Sequence, residues 1–62
     1  MKVRDLIKLL EAKGWKYLRT KGSHRQYKHS KHEEVITVAG KPGTDVPIGT
    51  LKSIVKKAGI DE

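Results

Sequence analysis

The chain has no cysteine and no phenylalanine, only two prolines, one tryptophan and two tyrosines, and half as many acidic residues as basic ones. Each shortage excludes something. Without cysteine there are no disulfides and no thiolate metal ligands, so packing must hold the fold, and a reducing cytoplasm is the default compartment. No stretch approaches the roughly 18 apolar residues that a membrane-spanning helix needs, and no secretory leader is expected. The 62 residues are expected to form one domain, residues 1 to 62. A chain of that size buries only about 60% of the surface it exposes when unfolded, which leaves little room for a deep cavity. Chemistry on such a domain belongs on an open face, which suits a polymer better than an enclosed metabolite.

What is present is positive charge. Fourteen Lys and Arg stand against seven Asp and Glu, a net charge of +7. Lys13, Lys16, Arg19, Lys21, Arg25, Lys28 and Lys31 all fall between Glu11 and Glu33, a stretch with no carboxylate. A cationic surface collects phosphates by releasing their counterions. The run could be only a solvated face, but half the basic residues in about a third of the chain exceeds what solubility requires. Inside it lies Gly22-Ser23-His24, and histidine is the side chain best able to move a proton at neutral pH. Taken alone, His24 reads more readily as a polar residue beside a turn than as a catalyst. Together with the field around it, it suggests phosphodiester chemistry, most plausibly on RNA.

Periodicity places these residues. Val3, Leu6, Ile7 and Leu10 recur at i, i+3, i+4 and i+7, which predicts an amphipathic helix from about Lys2 to Lys13, closed by Gly14. Ile48, Leu51, Ile54, Val55 and Ala58 share the face of a second helix with Pro47 in its first turn, Gly59 as its stop, and Asp45 or Thr50 as its N-cap. Between them, Trp15 to Lys21, His24 to His29 and Val35 to Ala39 read as three antiparallel strands. Gly22-Ser23 suits a two-residue type II′ hairpin and opposes Lys21 to His24. Strict alternation then puts Tyr17, Arg19, Lys21, His24, Gln26 and Lys28 on one face, and Leu18, Thr20, Arg25 and Tyr27 on the other. Leu18 and Tyr27, with Ile36 and Val38, are expected to meet both helices and leave the first face bare. Trp15 reads as a core anchor and Tyr17 as an edge cover rather than a base-stacking ring. His29 and His32 fall in or beside the second hairpin connection, and three histidines without cysteine or ligand-spaced carboxylates make a poor metal site. No metal and no cofactor is expected.

The order helix, three strands, helix resembles the double-stranded-RNA-binding-domain architecture: an α+β fold, α-β-β-β-α, with a three-stranded antiparallel sheet and two helices on one face. Gly22-Ser23-His24, Tyr27 three positions on, and the block Asp45-Val46-Pro47-Ile48-Gly49-Thr50-Leu51-Lys52-Ser53-Ile54 ending at Ala58-Gly59 are together similar to the HicA family, the toxins of bacterial HicA/HicB toxin-antitoxin systems. The resemblance covers nearly the whole chain. It implies ribosome-independent cleavage of mRNA, a catalytic role for His24, and a HicB-type antitoxin that covers the RNA-facing surface. Many members of the family carry a second histidine after the third strand where this chain has Lys41, so the resemblance transfers one catalytic histidine only.

On the residues themselves, neutral His24 is the candidate base for a ribose 2′-hydroxyl. Lys21, Arg19 and Lys28 are candidates to stabilise charge on phosphorus, and Gln26 and Ser23 complete the candidate RNA contacts. Two other readings use the same residues. A module of this fold could hold RNA without cutting it, or the cationic sheet could dock an acidic protein.

Overall fold

The computed structural model describes residues 1–60. Five elements follow in order: α1 (Val3–Ala12), β1 (Lys16–Lys21), β2 (His24–His29), β3 (His32–Ala39) and α2 (Ile48–Ala58). The strands form an antiparallel sheet in the order β1-β2-β3. This is the α-β-β-β-α, double-stranded-RNA-binding-domain-like fold that the sequence predicts.

The apolar stripe of α1 buries Val3, Leu6 and Leu10. They meet Tyr27, Ile36 and Val38 from the sheet and Ile54, Ala58 and Ile60 from α2 and the residues after it. Trp15 sits in the same core, 2% exposed. Burying an aromatic or branched aliphatic side chain stabilises by about 1.5–3 kcal/mol each, so this cluster is the main support of a domain without cross-links.

No side chain caps α1. Its first amides turn instead to the loop after β3: Val3 N–H donates to the Thr44 carbonyl (2.8 Å) and Arg4 N–H to the Pro42 carbonyl (3.1 Å). Two of the four orphan amides of the helix are satisfied in this way. Beside them Lys2 forms a β-bridge with Asp45, and their side chains pair at 3.1 Å.

The second helix departs from expectation at its start. Pro47 is the N-cap and no side chain bonds the exposed amides. Asp45 is engaged with Lys2 and Thr50 lies inside the helix, so neither serves as cap. Ile48, expected in the core, is 73% exposed. It occupies the first helical position, where the stripe carried by Leu51, Ile54, Val55 and Ala58 has run past its cover. The stop is as expected, with Gly59 left-handed at φ 69°.

Strand β3 begins at His32 rather than Val35, which shortens the second connection to Ser30-Lys31 and makes His29 and His32 cross-strand partners. Their register with the rest of the ladder shifts between Tyr27 and His29. Both rings lie against Trp15, His32 stacked at 5.0 Å and His29 tilted at 5.2 Å. The two histidines are thus packing residues of the core rim.

Candidate nucleic-acid interface

Strands β1 and β2 carry the site. Gly22 takes φ +59°, the backbone a primed hairpin turn requires at its first position, and Lys21 stands opposite His24. Thr20 opposes Arg25 and Arg19 opposes Gln26, continuing the expected ladder. Directly opposed residues share a face. Because Tyr27 is buried against the helices, alternation along β2 sends His24, Gln26 and Lys28 to the opposite, open side.

The ladder then breaks once. Between Tyr17 and Arg19 the register shifts, so that Tyr17 opposes Tyr27 and Lys16 opposes Lys28. Leu18 is the extra residue of a β-bulge, and two assignments made by strict alternation are corrected. Leu18, expected in the core, is 39% exposed. Tyr17, expected on the open face, joins the side of Tyr27, with the rings edge to face at 6.0 Å and its hydroxyl 2.6 Å from Thr20 Oγ1. The bulge also brings Lys16, opposite Lys28, onto the open face; unbroken alternation from Arg19 would leave it on the covered side. One extra residue in an otherwise regular strand leaves no mark in composition or spacing, so the pattern could not supply it.

The open face therefore presents three cross-strand rungs, Lys21 with His24, Arg19 with Gln26, and Lys16 with Lys28. All these residues are exposed except half-buried Gln26. Ser23 is exposed in the turn beside them. None of these cations takes part in the ion pairs of the described residues, Lys2 with Asp45 and Lys57 with Glu34. On the covered side, burial pushes the Tyr27 phenol up, with Glu11 adding to the effect and Arg25 opposing it.

A concavity of about 330 Å³ lies between β3 and α2 and is lined by Ile36, Thr37, Gly49, Thr50, Ser53, Ile54 and Lys57. It includes neither His24 nor any cation of the rungs, and those residues are exposed. Lys41, in the loop after β3, is exposed, and the carbonyl of the next residue, Pro42, accepts from α1. The loop thus turns towards the helices. Among the described residues, no helix is long and apolar enough to cross a membrane.

Fold and face together define a class: a small, basic α+β domain of the double-stranded-RNA-binding-domain type, with both helices on one side of the sheet and a histidine at the end of a cationic ladder on the other. The sequence matches, over residues 3–60, the family described as "HicA toxin of bacterial toxin-antitoxin". Among solved structures, a chain of the "HicA3 and HicB3 toxin-antitoxin complex" is 32% identical, with 100% of this chain and 98% of that chain covered and a TM-score of 0.83. No curated protein matches the sequence. The chain belongs to the HicA family of bacterial toxins.

Proposed function

We propose that this toxin is a ribosome-independent mRNA interferase, an endoribonuclease acting in the cytoplasm through a single catalytic histidine, His24, as one domain across residues 1 to 62. The observation that carries the reading is the pairing of exposed His24 with Lys21 at the end of a face whose other rungs supply Arg19, Lys16 and Lys28 and no carboxylate.

The chemistry follows from that arrangement. Neutral His24 takes the proton of a ribose 2′-hydroxyl, and the oxygen attacks the adjacent phosphorus. The bond to the 5′-oxygen breaks, and that oxygen takes a proton from solvent, to which the open face gives free access. The products are a 2′,3′-cyclic phosphate and a 5′-hydroxyl. Lys21, on the rung of His24, offsets the charge that builds on the phosphoryl oxygens, and Arg19 and Lys28 on the next two rungs hold the strand. A positioned histidine supplies about 10²- to 10⁴-fold, which fits a slow, open-face nuclease, and the steps as written need no metal. DNA, lacking the 2′-hydroxyl, is not a substrate.

The solved relative is described as a toxin-antitoxin complex, and by that likeness the partner of this chain is a HicB-type antitoxin. Covering the basic face would exclude RNA and neutralise the toxin in one contact.

The test is incubation of wild-type and His24→Ala protein with one long RNA and a matched DNA in chelator, with product ends resolved. RNA-only cleavage leaving 2′,3′-cyclic phosphate, absent in the variant, is the expected result. Intact RNA that both proteins shift on a gel would replace the nuclease with a non-catalytic RNA-binding module.

A further inference from the structure

We propose that the open face is a one-sided track for three consecutive phosphates of a single RNA strand, with the scissile phosphate at the Lys21–His24 rung and two further phosphates at Arg19–Gln26 and Lys16–Lys28. The proposal rests on the RNA reading above and adds to it a substrate geometry and a new contact residue, Lys16.

Three features lead there. Successive rungs lie two residues apart along β2, about 7 Å, a step comparable to that between phosphates of an extended single strand. Lys16 and Lys28 are directly opposed, an arrangement of like charges that destabilises a sheet, and neither takes part in the ion pairs of the described residues. A bulge that costs the ladder its regularity puts Lys16 there. Such a rung is relieved by an anion between its two ammonium groups.

The third feature is direction. Past Lys21 and His24 the strands end at Gly22-Ser23, and the β3 neighbour of His24 is Ala39, which carries no charge. Beyond Ala39 the loop turns towards α1, where Arg4 N–H bonds the Pro42 carbonyl. Within β1 and β2, cations therefore continue from His24 in one direction only, and the next cation past Ala39, Lys41, belongs to the loop after β3. The nucleotides on one side of the cut are held through their phosphates, and those on the other side overhang the turn. Positively charged surfaces that follow the backbone in this way bind single strands with little regard for sequence.

The experiment uses the intact protein and mixed-base 2′-O-methyl oligonucleotides. One set carries a single free 2′-hydroxyl, so that only one step can be cut, and is extended by one, two or three phosphates on either side of it. The expected result is that kcat/KM rises with the first and second phosphate on one side and stays flat on the other. Equal gains on both sides would overturn the track.

A second set, fully 2′-O-methylated, reports binding alone. Lys16→Ala/Lys28→Ala should lower the slope of log Kd against log salt by about 0.7, the value for one phosphate on a single strand. Lys8→Ala/Lys52→Ala removes the same charge from exposed positions of α1 and α2 and should leave that slope as in wild type. Equal losses in both double variants would overturn the proposal. If no oligonucleotide is cut, the nuclease reading fails by itself, and the binding set still upholds or removes the track.

Discussion

The Nε2 of His29 lies 3.1 Å from the carbonyl oxygen of Lys13, sixteen residues earlier in the chain and just past the end of α1. The other ring nitrogen, Nδ1, accepts the Lys31 N–H at 2.9 Å. With a donor facing Nδ1, the hydrogen-bond network assigns the ring proton to Nε2, which donates to Lys13. The ring thus ties the second hairpin to the first helix. His32 makes a parallel connection, stacking on Trp15 and lying against Gly59 at the end of α2.

Gly14→Ala tests this connection. A Cβ at Gly14 would come within 2.8 Å of His29 Nε2, on a backbone already at φ +96°. The left-handed backbone alone costs a non-glycine residue about 1–3 kcal/mol, and the contact forces the His29 ring off Lys13. In a domain of this size each kcal/mol lowers Tm by about 4–8 °C. A variant that melts with wild type would remove His29 from the support of the fold.

Leu18→Ser tests the bulge. If Leu18 is the extra residue and faces outward, its replacement changes stability by no more than about 1 kcal/mol in urea unfolding, as surface substitutions do. Tyr27→Ala, which empties a core position, should cost about 3–5 kcal/mol. Comparable losses in the two variants would return Leu18 to the core and Lys16 to the covered side.

Stability at alkaline pH should report on Tyr27. Burial raises its phenol above the ordinary 10.0, so between the unfolded and folded values the native chain keeps a proton that the unfolded chain has lost. The stabilisation is full below pH 10 and is lost as pH rises through the folded value. Lysines titrate in the same range, so the measurement is a comparison with Tyr27→Phe. The difference in unfolding free energy between wild type and variant should hold constant below pH 10 and fall above it, and a flat difference throughout would mean that the phenol titrates alike in both states.

How far the sequence could be read depended on how regular each element is. Val3, Leu6 and Leu10 repeat at helical spacing with a glycine stop, and α1 lies within a residue or so of its predicted bounds. The Gly22-Ser23 turn fixes the first hairpin by backbone geometry alone, so Lys21 and His24 face each other as expected and Arg19, Gln26 and Lys28 share their side. What failed was irregular. The bulge at Leu18 moved Tyr17 and Lys16, because alternation carries a register only until one residue is inserted. Strand β3 began three residues early, since His32-Glu33-Glu34 has no strand-like composition and is held by pairing and by Trp15. Asp45 has the chemistry of a cap, and its pairing with Lys2 is a tertiary contact that no local pattern contains.

The loop that bonds the start of α1 also sets when this molecule can come into being. Val3 and Arg4 find their partners at Thr44 and Pro42, and the Met1 carbonyl accepts the N–H of Val46. The first helix is therefore completed by residues that the ribosome adds some forty positions later. A nascent chain that stops before them has all three strands and the residues of α1, but neither the loop that bonds the start of that helix nor α2. An abandoned fragment therefore lacks Ile54, Ala58 and Ile60 as well, the part of the core that only the last residues supply.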